Sequence, residues 1–207
     1  MAMPLKLVLI RHAETMWNRE RRYQGRQDPP LSDTGRAQAE ALGRLLAKER
    51  IEAVWSSPLR RARETAEAVA MPRGLEIRVD DRFGEMHFGQ WEGLTSDEVS
   101  AKFPETYRAW LDTPHLAPVP DGEALSDVRD RALKGLSALR QAHDGGTVAL
   151  VTHGVTGRIL ILEALGLGLD RIWSLQVSFT GISELEFRDD WAVVHRMNSL
   201  EHLERRA

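Results

Sequence analysis

The chain has 207 residues, no cysteine and a net charge of −3. That length favours one domain over two and lets roughly 70% of the unfolded surface be buried, so stability requires neither disulfide nor metal staples. No block of like charge suits a nucleic-acid arm, the apolar run Leu7 to Ile10 is too short for a signal-peptide core, and the greasy stretch Ile159 to Leu169 is broken by Glu163. A soluble, cytoplasmic protein without nucleic-acid or membrane partners is expected.

Lys6 to Arg11 reads as a first strand, apolar without alternation, as when both faces of a parallel strand are covered. An arginine-rich polar segment follows. Leu31-Ser32-Asp33-Thr34-Gly35 then opens a helix with Ser32 as N-cap and Ala41, Leu42, Leu45 and Leu46 on its inner face. Ala53 to Ser56 is a short second strand. Ser57-Pro58 predicts the next helix start, serine capping and proline in the first position, with Leu59, Ala62, Ala66 and Val69 facing inward. Glu76 to Val79 is a further strand candidate. Residues 82–120, rich in glycine and proline, read as a lid-like insertion over the sheet edge. Glu123 to His143 is a long amphipathic helix with Leu125, Val128, Ala132, Leu136 and Leu139 inside. Val148 to Thr152 is a second buried strand, a helix runs from Val155 to about Leu165, and Leu175 to Met197 alternates as an edge-pairing β segment. The pattern predicts one α/β domain over residues 1–207, three-layer α/β/α, with a mostly parallel central sheet and helices on both faces.

Two Arg/His clusters stand where buried strands run out: Arg11-His12 and Thr152-His153-Gly154. Open α/β sheets bind ligands outside the carboxyl ends of their strands, so the pair suggests a two-histidine site and Arg11 suggests an anion. Either histidine taken alone reads equally well as a hydrogen-bonded strand end. Asn18, Arg19, Arg21, Arg22, Gln24 and Arg26 crowd donors into the next stretch, which suits a phosphate or carboxylate. Arg60, Arg61 and Arg63 fall in a first helical turn, where each cation opposes the dipole by a few tenths to about 1 kcal/mol. A bound anion offsets that cost, although one or two of them can point to solvent. The Gly154 and Val155 amides at a helix start can donate to an anion beside His153. Glu85, among aromatic and apolar neighbours, is a candidate general acid. The absence of a Gly-x-Ser-x-Gly elbow, a Walker loop and a Gly-x-Gly-x-x-Gly fingerprint argues against serine hydrolase, NTPase and dinucleotide chemistry. A metal site from His12, His153 and Glu85 is disfavoured by the adjacent arginines, so no metal or other cofactor is expected.

Leu9-Ile10-Arg11-His12-Ala13-Glu14-Thr15-Met16-Trp17-Asn18 resembles the signature of the histidine phosphatase superfamily, phosphoglycerate-mutase-like branch. Four more segments follow in that family's order: Gln24-Gly25 through Asp28 to Gly35, Ser56-Ser57-Pro58-Leu59-Arg60-Arg61-Ala62, Glu85 through Gly89-Gln90-Trp91-Glu92-Gly93, and Val151-Thr152-His153-Gly154. Ala13 and Val155 stand where glycine is frequent, and Ala124 where serine is common. None of these departures removes a catalytic group.

The resemblance implies that His12 is a nucleophile taking the phosphoryl group, that Arg11, Arg61 and His153 hold its oxygens, and that Asn18, Gln24, Gly25 and the Gly154 amide bind phosphate or substrate. Arg61 is chosen over Arg60 because it aligns with the family's arginine before alanine. Glu85 would protonate the leaving group and then accept a proton from water. Mutases of this family carry a basic insertion after the acid, whereas Met86 to Pro120 contains only Lys102 and Arg108 as basic residues. A metal-independent phosphomonoesterase acting on a small-molecule phosphate ester is therefore expected, with a cofactor-dependent phosphoglycerate mutase as the alternative. Trp91, Phe103, Tyr107, Trp110 and Leu111 are candidates to line an apolar pocket or simply to pack the insertion. A homodimer is left open.

Overall fold

The computed structural model describes residues 4–188 and 191–203. Among these, six strands form one sheet: β1 (Leu5–Arg11), β2 (Ala53–Ser56), β3 (Ile77–Val79), β4 (Gly146–Thr152), β5 (Ile182–Phe187) and β6 (Ala192–Ser199). Their spatial order is β3-β2-β4-β1-β5-β6. Pairings β1 to β4, β2 to β4 and β2 to β3 are parallel, and β5 and β6 run antiparallel at one side. The expected three-layer α/β/α fold is present.

Side-chain alternation explains why β1 is apolar throughout. Leu5, Leu7 and Leu9 pack with Val128 and Leu136 of a helix over Leu125–Gln141 and with Ile159 and Leu162 of one over Gly154–Leu165. Val8 and Ile10 pack on the opposite face with Leu42 and Leu46 of a helix over Asp33–Leu46 and with Ala62, Ala66 and Val69 of one over Arg60–Ala70. With a short helix over Met16–Arg19 as α1, these are α2 (Asp33–Leu46) and α3 (Arg60–Ala70); α4 (Ser96–Lys102) and α5 (Pro104–Asp112) precede α6 (Leu125–Gln141) and α7 (Gly154–Leu165).

Ser32 caps α2 as expected, its side chain accepting from the Gly35 amide at 2.9 Å. The Ser57-Pro58 expectation is corrected: α3 begins at Arg60 and its N-cap Leu59 supplies no side-chain bond. Ser57 Oγ lies 2.7 Å from His153 Nε2 instead, and the Arg60 amide donates to the Asp28 carboxylate at 2.8 Å. A loop carboxylate thus caps the helix, freeing the serine to face the second histidine.

Residues 82–120 pack over the carboxyl ends of the central strands rather than at the sheet edge. Thr152 Oγ1, at the end of β4, donates to the Phe83 carbonyl at 2.7 Å. Phe88, Trp91 and Trp110 interlock edge-on or stacked and join the same core as Leu9 and Leu150. The alternating C-terminal segment also divides differently from expectation. Its strands begin only at Ile182, β5 lies inside the sheet between β1 and β6, and the residues before it fold back over Arg11.

Candidate active site

The parallel register of β1 and β4 sets Arg11 opposite Thr152, so His12 and His153 leave the sheet side by side. The His12 amide donates to the Thr152 carbonyl at 2.8 Å, and the two imidazole centroids are 5.1 Å apart. Both rings are buried. His12 Nδ1 lies 2.7 Å from the Ala13 carbonyl oxygen. A carbonyl only accepts, so Nδ1 carries the proton and the lone pair is on Nε2. Burial, reinforced by the positive charges of Arg61 and Arg11, holds the His12 pKa well below 6.5, the Ala13 bond opposing only in part. Burial and then the charges of Arg61 and Arg11 do the same to His153.

Arg11 and Arg61 flank this pair. Arg11 Nη1 donates to the Val177 carbonyl at 2.7 Å, and its guanidinium carbon sits 4.1 Å from the Phe179 ring centroid. Arg61 donates through Nη1 to Gln27 O at 2.7 Å and through Nη2 to Gly25 O at 2.8 Å. Burial pushes each guanidinium pKa down to about 10, with Glu85 opposing, so both stay charged at neutral pH. Nε of each is buried without a partner among the described residues. Of the three arginines at the start of α3, Arg61 alone is inside: Arg60 pairs with Glu64 on the exposed side and Arg63 faces solvent. Arg61 shares a helix face with buried Thr65, whose hydroxyl donates back to the Arg61 carbonyl and accepts from the Ala13 amide.

The Gly154 expectation is corrected. Its amide donates to Glu85 Oε2 at 3.0 Å, Val155 N to the same oxygen at 3.2 Å, and Thr156 N to Oε1 at 3.4 Å. The start of α7 is therefore occupied by the protein's own carboxylate, because Glu85 comes down from the crossing segment onto three converging amides. Thr15 Oγ1 lies 3.0 Å from both Asn18 Oδ1 and Gln24 Oε1, and the Thr15 amide donates to the same Asn18 oxygen at 3.0 Å. Gly25 has φ +51°, and a Cβ there would lie 1.9 Å from Glu92 Oε1, so glycine lets the loop close under Arg61.

These groups surround a cavity of about 260 Å³. Arg11, His12, Asn18, Gln24, Gly25, Arg61, Glu85 and Gly154 all line it, while His153 lies beneath, its Nε2 turned to Ser57. Arg22 reaches the cavity, but Arg19, Arg21 and Arg26 do not; of the aromatic candidates Trp110 reaches it, and Trp91 is packed in the core. Sequence reasoning missed Arg158, Trp173 and Phe179. A single cation inside the otherwise apolar run of α7 was the available signal for Arg158. Phe179 and Trp173 carried none, since each is placed by the tertiary path of its loop.

A buried, unprotonated histidine between two fixed guanidiniums, with a carboxylate across the cavity, defines an enzyme that handles phosphoryl groups. The family model of the histidine phosphatase superfamily (branch 1) matches residues 7–200, and the chain belongs to that superfamily. It is 36% identical over 199 residues to phosphoserine phosphatase 1 of Hydrogenobacter thermophilus, covering 96% of this chain and 94% of that protein. The solved structure of Bacillus stearothermophilus YhfR aligns with a TM-score of 0.92 at 37% identity, over 97% of this chain and 100% of that one. A mycobacterial glucosyl-3-phosphoglycerate phosphatase solved with VO3 aligns with a TM-score of 0.87 at 32% identity, over 94% and 99% of the two chains. The chain is a phosphatase, acting on phosphate monoesters.

Proposed function

We propose that this phosphatase works through a phosphohistidine on His12, without a metal, on a small phosphorylated metabolite. The observation that carries the reading is the bond from His12 Nδ1 to Ala13 O, which leaves Nε2 as an unprotonated nucleophile beside Arg11 and Arg61. Nε2 attacks phosphorus, the P–N bond forms and the P–O ester bond breaks, and the departing alkoxide takes a proton from the Glu85 carboxyl. Water then attacks phosphorus and gives a proton to the Glu85 carboxylate, the P–N bond breaks, and phosphate leaves a neutral His12. Arg11 and Arg61, with Asn18 and Gln24, hold the equatorial oxygens, where fixed cations lower the barrier without reorganising. His153 supports this face through Ser57. Residues 82–120 serve as a lid that brings Glu85 to the cavity.

Hydrolysis is favoured over mutase chemistry because Lys102 and Arg108 are exposed and line no part of the cavity. The positive charges of Arg61 and Arg11 beside His12 oppose a divalent cation there, which supports the metal-free route. Quenching during turnover should trap phosphate in an acid-labile, base-stable linkage on the His12 peptide, and His12→Ala should remove both label and activity. Label on another residue refutes the reading, as does activity lost to a chelator and restored by a divalent ion. With 3-phosphoglycerate and catalytic bisphosphoglycerate, isomerisation without phosphate release would establish the mutase instead.

A further inference from the structure

Two cations of the cavity, Arg158 and Arg22, have no part in the scheme above. Arg158 is the sole cation on α7, where Gly154 to Gly157 and Ile159 to Leu162 are all buried. Its Nε donates to Leu175 O at 2.9 Å and its Nη1 to Gly154 O at 3.0 Å, and the guanidinium lies 5.5 Å from the Trp173 ring centroid. Those bonds are to backbone carbonyls, so they fix the plane of the group without neutralising it. Arg22, the other additional cation of the cavity, is neutralised by Glu20 at 2.7 Å and Glu98 at 3.3 Å. Arg158 is also held against a like charge. A Cβ built on Gly154 would lie 3.4 Å from Arg158 Nη1 and 3.5 Å from Arg11 Cζ, so both guanidiniums close on one backbone point. Burial lowers the Arg158 pKa with the Glu85 charge opposing, Arg158 in turn lowers that of Arg11, and among the described residues no carboxylate forms a salt bridge with Arg158.

We propose that Arg158 is a specificity-determining residue that pairs with a carboxylate on the substrate, close to the phosphate ester, so that phosphorylated hydroxy or amino acids are preferred to phosphates of uncharged alcohols. The proposal rests on the phosphomonoesterase reading of the site. With Nε and one of the two Nη1 hydrogens committed, Nη2 and the second Nη1 hydrogen remain as donors for a carboxylate. A second phosphoryl group fits less well: the α7 amides that would share its charge are held by Glu85, and the adjacent walls are Phe88, Trp110 and Trp173.

The test compares 3-phosphoglycerate with glycerol 3-phosphate, which differ by a carboxylate against a hydroxymethyl group. Wild-type kcat/KM should favour the carboxylate, and Arg158→Met should cut that preference by about tenfold to a hundredfold, the scale of losing one hydrogen bond to a charged group. Arg158→Lys, which keeps the charge and loses the fork, should recover part of it. Equal losses on both substrates would make Arg158 a third phosphoryl-holding arginine and overturn the proposal, as would no change in the ratio. Calorimetric binding of the same two compounds to His12→Ala and to His12→Ala/Arg158→Met reads the preference without turnover. An enzyme that hydrolyses neither compound nor any aryl phosphate would defeat the phosphomonoesterase reading, while this binding arm would still decide the role of Arg158.

Discussion

The Ala13 carbonyl fixes the tautomer of His12, accepting from Nδ1 at 2.7 Å while burial, reinforced by Arg61 and Arg11, keeps the ring neutral. Nitrogen-detected NMR should therefore show an Nδ1-protonated His12 whose signals do not titrate between about pH 6 and 7, where an ordinary histidine changes charge. The same depression makes stability pH-dependent. Because the folded pKa lies below the unfolded value, the unfolded chain binds more protons as pH falls, so the contribution is complete above about 6.5 and declines below it. Melting temperature should drop on acidification from pH 7 to 5, and less steeply in His12→Asn. A His12 resonance titrating near 6.5 would contradict both expectations.

Arg61 has two duties that substitution should separate. Its side chain ties Gly25 O and Gln27 O to α3, and its charge faces His12. Arg61→Met leaves two carbonyls without their donor, so a loss of about 1–3 kcal/mol in stability is expected. Activity should fall by about a hundredfold to a thousandfold as an oxygen-holding cation disappears. Denaturant unfolding and kcat/KM on an aryl phosphate measure the two. Full activity in Arg61→Met would remove this residue from the site.

Glu85 is expected to act on the leaving group. Glu85→Gln should slow alkyl phosphates, whose alkoxides need a proton, far more than aryl phosphates with good leaving groups. The substitution also places an amide NH2 among the Met86, Gly154, Val155 and Thr156 donors, so a lower melting temperature should accompany it. Equal rate losses on both ester types would assign Glu85 to holding α7 alone.

The two histidines were legible because strand periodicity and register are local properties of sequence. Once β1 and β4 are recognised as buried parallel strands, their carboxyl ends name His12 and His153. Arg61 was separable from Arg60 and Arg63 only through the resemblance, since the helix phase that buries it depends on α3 starting two residues later than Ser57-Pro58 suggested. That shift came from Asp28, which is 32 residues from Arg60 and invisible to any local rule. The Gly154 amide was assigned to a ligand because helix starts bind anions, and the anion turned out to be Glu85 across the fold. Phe179 and Arg158 depend on how residues 175–181 fold back over β1, a path set by Asn198, whose Oδ1 accepts from the Ser178 amide at 2.7 Å.

That returning loop yields the last prediction. Val177 O, Thr180 N and Gly181 O all bond Arg11, and Phe179 stacks on its guanidinium while lying 6.1 Å from the His12 ring. Phe179 is thus a positioning residue: it does not touch the reacting atoms, yet it fixes the plane in which Arg11 presents its donors. A cation over an aromatic face at a partly buried site is worth about 0.5–2 kcal/mol. Phe179→Leu should therefore weaken inhibition by inorganic phosphate and vanadate by about threefold to thirtyfold, while Phe179→Tyr, which keeps the ring, should bind both nearly as wild type. A merely structural role would lower the melting temperature of Phe179→Leu and leave the inhibition constants of the folded fraction unchanged. Weakened inhibition rescued by tyrosine, at a melting temperature close to wild type, distinguishes positioning from packing.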